Sequence, residues 1–241
     1  MQTMKSSKIL KADAREQLLG KYKTVIMAFL LMQILLSGCL SIAQSQLNLQ
    51  SFGSAVVYYA VYLILVLFGA IFTAGQNYLY LNIARGQEYG IRNIWYPFRS
   101  LADKCLLLQL FIFVMLFVCS LPLLISATIL ISTGNSYFVI PVVLALIFFL
   151  LACVLIQLDY SQVFYLVLDQ PALSVRELLR QSKTLMKGHK GGYFYLLVSF
   201  IGIFLLTVLT FGVGTLWAYP YFMSAKANYY LNLTSQTESA H

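Results

Sequence analysis

Few residues in this chain have the type and setting for chemistry, and the first is Asp159. It stands in Gln157-Leu158-Asp159-Tyr160-Ser161-Gln162, inside the long apolar run Phe138–Leu168. A charge at membrane depth costs at least ~2.5–3.5 kcal/mol on insertion scales, so such a carboxylate is a functional-site hypothesis by default. It could bind a cation or relay a proton. The run is longer than one crossing needs, however, and Asp159 falls towards its charged end. That favours an interfacial position, or pairing with a basic residue of an adjoining helix.

The second feature is a set of cations. Arg176, Arg180, Lys183 and Lys187 fall at i, i+4, i+7 and i+11 within Pro171–Gly192, while Val175, Leu178, Leu179, Leu185 and Met186 share another face. Ser174 and Glu177 match the S-x-x-E capping box that starts a helix, and Gly188 can end it in a left-handed conformation. A basic amphipathic helix of this kind suits a membrane interface, with its apolar side among acyl chains and its cations near anionic headgroups. The plainer alternative is a solvated loop helix whose cations only enforce topology. A weaker copy lies at Arg85–Lys104, where Ile91, Ile94, Trp95, Phe98 and Leu101 make the apolar face and Arg92 and Arg99 the basic one. Pro97 interrupts it, which predicts a broken or short helix. The basic residues are expected to contact anionic lipid headgroups or a membrane-protein partner.

The third feature is Gly212-Val213-Gly214 followed by Pro220, the expected hinge of a discontinuous hairpin. Broken helices free backbone groups that can hold ligands, although loop and kink duty is the simpler reading. Beyond these, little suggests a reaction. His189 has no second His or Cys beside it, so no metal site is expected. Cys39, Cys105, Cys119 and Cys153 sit in or beside apolar runs without C-x-x-C spacing and read as small buried hydrophobes. Leu36-Ser37-Gly38-Cys39 matches a lipobox, but the pattern is degenerate and further crossings follow it. No Walker loop, H-E-x-x-H or G-x-S-x-G occurs. Catalytic residues, cofactor and metal are therefore all expected to be absent, and the chain is not expected to be an enzyme.

The elements that must carry these residues follow from composition. Of 241 residues, 60% are hydrophobic and 10% charged, against about 25% charged in a soluble domain; mean hydropathy is +0.80. The expected fold is an all-α polytopic membrane protein, a single domain over 1–233. Six spans are expected near 24–43, 54–84, 105–131, 138–168, 193–211 and 215–233, with 234–241 a disordered tail. Ala70 and Ala74 in the second span are a small-xxx-small pair suited to close helix packing. The 16 Lys and Arg lie in the N-terminal segment, 85–104, 169–192 and at Lys226, while the three opposite loops carry no charge. The positive-inside rule then sets both termini in the cytoplasm. The net charge of +8 accordingly reads as topology and lipid contact, not nucleic-acid binding.

Shifting the chain by 84 residues superposes Lys8, Arg92 and Arg176, as well as Arg15, Arg99 and Lys183. This suggests three units, each a basic amphipathic cytoplasmic helix followed by a two-span hairpin, although alternating hairpins and basic loops could produce a similar pattern. The function expected on these grounds is a non-enzymatic lipid- or partner-binding component of the plasma membrane. The alternative is a small transporter or channel subunit with a site between the hairpins.

Several ordered motifs carry a resemblance. They are Ala14-Arg15-Glu16-Gln17-Leu18-Leu19-Gly20-Lys21, Ser182-Lys183-Thr184-Leu185-Met186-Lys187-Gly188-His189-Lys190, Gly212-x-Gly214-Thr215-Leu216-Trp217-x-x-Pro220-Tyr221 and Ala227-x-Tyr229-Tyr230. Together they resemble the domain-of-unknown-function 975 family of bacterial integral membrane proteins. The resemblance implies a multi-span protein of the cytoplasmic membrane and no established activity, so no catalytic residue is carried over.

Overall fold

The computed structural model describes residues 5–46 and 51–238. Among these there is helix and no strand. A short basic helix, α1 (Ser7–Leu18), leads into the first hairpin, α2 (Tyr22–Gln46) and α3 (Phe52–Ala84). Four residues of the loop expected at its tip, 47–50, lie outside the described residues. A 3-10 turn (Ile91–Trp95) and α4 (Tyr96–Ser100) precede the second hairpin. Its arms are α5 (Ala102–Thr133) and then α6 (Val139–Asp159) continued by α7 (Val163–Asp169). Next come α8 (Val175–Met186), α9 (Lys190–Val198), α10 (Ile201–Leu209) and α11 (Thr215–Glu238).

Five segments are long and apolar enough to cross a membrane: Tyr22–Ser45, Gly53–Ala84, Ala102–Thr133, Ser136–Asp169 and Lys190–Leu209. The sixth expected span, α11, falls short in apolarity. Its packing gives the reason. Ala218, Met223, Ala225, Ala227, Tyr229 and Tyr230 are buried, with α1, α2, α3 and α10 packed around it. A helix enclosed by protein does not need a lipid-compatible surface, and α11 accordingly carries Ser224, Asn228 and other polar groups inside. Its last turns reach Glu238, so residues 234–238 of the expected disordered tail are helical and 239–241 lie outside the described residues.

The core occupies one end of the bundle. Along α3, Val56, Val57, Tyr59, Tyr62, Ile64 and Phe68 are exposed, whereas from Ala70 to Ile83 nearly every side chain is buried. The outer parts of α2, α5 and α6 likewise expose Ile, Leu, Val and Phe. So large an apolar surface is foreign to a monomer in water. At the packed end, Ala74 is fully buried and its neighbour Gly75 makes the closest approach: a Cβ there would fall on the carbonyl of Ile94. That contact seats the 91–95 turn on α3.

Two of the expected spans contain a break between helices. The run 138–168 turns at Tyr160–Gln162 between α6 and α7. The run 193–211 breaks at Ser199–Phe200, where Lys11 of α1 donates to the Ser199 carbonyl (3.0 Å) and Oγ (3.1 Å). A cation beside carbonyls freed at a helix end is favourable, and its partner lies 188 residues away. Burial and the nearby Arg15 lower the pKa of Lys11 below its ordinary value.

Candidate functional site

The charged end of the bundle holds most of the residues singled out in the sequence. The start of α8 has the expected capping box: the backbone N–H of Ser174 donates to Glu177 Oε2 at 2.9 Å, and the Glu177 N–H donates to Ser174 Oγ at 3.4 Å. The Ser174 hydroxyl and backbone hold the Glu177 carboxyl below the usual glutamate pKa. At the other end Gly188 takes φ +85° and stops the helix. Leu178, Leu179, Ser182 and Met186 are buried, and α8 packs on α5, α6 and α7. The apolar side expected among acyl chains is therefore covered by protein. It finds a core because Ser182 Oγ donates to the Asp159 carbonyl at 2.8 Å, pinning the helix to the end of α6. Exposed along α8 and its C-terminal cap are Arg176, Arg180, Lys183 and Lys187, none in an ion pair with an acid among the described residues, and also Glu177, whose carboxylate lies in the field of Arg180.

Arg92 and Arg99 come together differently. Pro97 sits at the first turn of α4, where its missing N–H is harmless, and the change from 3-10 turn to helix lets both arginines line one concavity. Tyr78, Asn93, Trp95 and Tyr96 complete it, and its volume is about 270 Å³. Tyr78 and Tyr96 stack with centroids 4.5 Å apart, and Trp95 meets Phe72 edge-on at 5.8 Å. The side chain of Asn93 donates to the Glu88 carbonyl at 3.4 Å, which closes the loop behind it.

Asp159 sits at the last residue of α6 and forms an ion pair with Lys190 at the start of α9. Its carboxylate is largely buried, with 15% of the side chain exposed. The stronger ionic knot involves residues that nothing local in the sequence marks. Arg85 grips Asp169 with two bonds, Nη1 to Oδ1 at 2.9 Å and Nη2 to Oδ2 at 2.7 Å, and the Tyr230 hydroxyl donates to the same Oδ2 at 2.8 Å. This ties the inner ends of α3 and α7 to α11. The Asp169 hydrogen bonds raise the pKa of Arg85. Nearby, Lys104 Nζ donates to the carbonyls of Pro171 and, at 2.9 Å, Leu173, holding the loop that leads into α8. One signal for the knot is present: Arg85 and Asp169 are 84 residues apart, the interval at which the basic residues recur.

Polar groups inside the bundle also escape a reading of the sequence alone. Gln76, Asn77, Asn82, Gln162 and Asn228 are buried. Tyr219 OH donates to Gln76 Oε1 at 2.6 Å, while Gln76 Nε2, Asn77 Oδ1, Gln162 Oε1 and Tyr165 OH have no hydrogen-bond partner among the described residues. Amides inside an otherwise apolar run are the available signal. Gly212 takes φ +86° in the turn between α10 and α11, and Gly214 N–H donates to Thr210 Oγ1 at 2.9 Å. Pro220, expected to share the hinge, lies inside an uninterrupted α11. Its flanking Tyr219 and Tyr221 are held by Phe29 and Phe200 respectively, so the helix is fixed on both sides of the proline. Among the described residues no group of three His, Cys, Asp or Glu is placed to hold a metal ion, and all four cysteines are free thiols.

No curated protein and no solved structure matches the chain. A family model does, over residues 4–237, nearly the whole chain and all the elements just described. The chain belongs to the family described as "Protein of unknown function (DUF975)".

Proposed function

We propose that this is a non-enzymatic integral protein of the plasma membrane whose basic face binds anionic lipid headgroups. The observation that carries the reading is the state of α8. Its apolar side is used up in the core, and the four cations along it and its cap remain exposed and outside any ion pair among the described residues, with the acid Glu177 beside Arg180. Attraction to an anionic leaflet is about 1 kcal/mol per Lys or Arg, so the four together supply at most about 4 kcal/mol, roughly a thousandfold in binding. Arg92 and Arg99 add to the same face. An acidic membrane-protein partner is the other occupant such a face accepts.

In this reading α11 is the sixth crossing and both termini are cytoplasmic, as the uncharged opposite loops suggest. Three repeated units are supported by the helix starts: Ser7, Ile91 and Val175 follow one another at intervals of 84 residues, each ahead of a hairpin. The test is to change Arg176, Arg180, Lys183 and Lys187 together to Gln and measure, in nanodiscs of mixed composition, the anionic lipid retained around the protein. The expected result is a clear loss of anionic enrichment. An unchanged lipid ratio would refute the lipid reading.

A small transporter or channel subunit is the second reading, favoured by the buried and unpartnered amide atoms of Gln76, Asn77 and Gln162. Its expected coupling residue, Asp159, is engaged by Lys190. A proteoliposome solute flux that Gln76→Leu abolishes would select it over lipid binding.

A further inference from the structure

We propose that the concavity formed by Tyr78, Arg92, Asn93, Trp95, Tyr96 and Arg99 is a stoichiometric site for the phosphodiester headgroup of one anionic phospholipid. The inference rests on the lipid-binding reading above and gives it a defined site, distinct from the diffuse attraction of α8. Arg92 and Arg99 both line the same space, and neither guanidinium has an ion-pair or hydrogen-bond partner among the described residues. Two arginines on one concavity suit a phosphate, which accepts paired N–H bonds from a planar guanidinium. At about 270 Å³ the space is below the roughly 300–1,000 Å³ of a drug-sized ligand site. It takes a headgroup and leaves acyl chains outside.

The walls say where those chains go. Trp95 is 39% exposed and Tyr96 38%, the amphipathic aromatics that settle at headgroup level. Trp95 and Phe98 both pack on Phe72 of α3. One turn further along α3, at Phe68, the exposed apolar half of the helix begins. A lipid with its phosphate between Arg92 and Arg99 can therefore lay its chains along α3, where a soluble phosphodiester would have nothing to bury. The site is also held in shape: the 91–95 turn rests on Gly75 so closely that any side chain there would displace it.

Native mass spectrometry of the full chain, purified in detergent and titrated with phosphatidylglycerol or phosphatidylcholine, tests this directly. The expected result is one phosphatidylglycerol adduct that survives where phosphatidylcholine is shed. Arg92→Gln with Arg99→Gln should weaken that first adduct by about a hundredfold, taking about tenfold for each guanidinium–phosphate interaction removed. Lys8→Gln with Lys23→Gln removes the same charge from exposed positions elsewhere and should leave the adduct intact. If the Arg92/Arg99 variant binds the first lipid as tightly as the unaltered chain, the pocket assignment is overturned, whatever the four-cation variant of α8 does. Equal weakening in the Lys8/Lys23 variant would overturn it too, reducing the effect to net charge. Displacement of the adduct by soluble glycerophosphoglycerol at matched concentration would overturn the lipid as occupant.

Discussion

The ionic knot at the inner ends of the helices offers the sharpest test of how the bundle is held. Replacing Asp169 with Ala removes two charge-assisted bonds to Arg85 (2.9 and 2.7 Å) and the acceptor of Tyr230 (2.8 Å). Side-chain exposures of 31% for Arg85 and 22% for Asp169 set the pair between two regimes. Exposed ion pairs contribute about 0–1 kcal/mol, while breaking a buried one costs about 3–5 kcal/mol because the remaining charge is stranded. An intermediate cost of about 2 kcal/mol is expected for Asp169→Ala. For a chain of this size each kcal/mol lowers Tm by about 2–4 °C, so the melting point should fall by about 4–8 °C. The assay is thermal unfolding in detergent of Asp169→Ala, Arg85→Ala and the double variant. Because the two residues share one interaction, the double variant should be about 1–2 kcal/mol less damaged than the sum of the singles. Additivity within about 0.5 kcal/mol would show that the knot couples nothing and would refute the clamp.

Two further outcomes follow from local geometry. Gly75→Ala should destabilise the protein by about 1–3 kcal/mol in the same melting assay, the usual cost of forcing extra atoms into a packed site, because its Cβ overlaps the Ile94 carbonyl. Gly38→Ala meets open space and should be neutral or slightly stabilising, since Ala is the better helix former; equal behaviour of the two would contradict the close approach. Glu177 has its carboxyl pKa lowered from 4.5 by the Ser174 cap. A group whose folded-state pKa is depressed stabilises above its unfolded value and loses that contribution as pH falls through the folded one. Hydrogen-exchange protection in the first turn of α8, taken as the rate relative to an unstructured chain at the same pH, should therefore fall as the pH drops below 4.5. Glu177→Gln, which keeps the cap without a titrating group, should abolish that pH dependence.

Much of the local structure is legible in the chain. The α8 cap, its glycine stop and the break near Pro97 are encoded within a few residues, so neighbouring side chains alone settle them. The apolar runs identify five of the expected spans because length and hydropathy need no knowledge of packing. The breaks are not visible. Nothing around Ser199 differs from an ordinary apolar helix until Lys11 is brought to it from α1. Asp159 stands out as a lone acid in an apolar run, and its pairing with Lys190 depends on where α9 begins. Asp169 carries no such local mark at the edge of a loop, yet three hydrogen bonds from two other helices converge on its carboxylate.

By itself the sequence determined the class of the protein, a helical chain with several runs long and apolar enough to cross a membrane. Twenty-residue apolar runs have no place in water. Only the tertiary structure decided what each face meets. Periodicity tells which side of α8 is apolar, but that side could lie on lipid or on protein with the same pattern. Leu178, Leu179 and Met186 lie on protein because α5, α6 and α7 end beside them. The same applies to the arginines. Arg92 and Arg99 are separated by two helical turns of chain with Pro97 between them. Their convergence on one concavity follows from a turn seated against Gly75, an approach between segments that no local rule links.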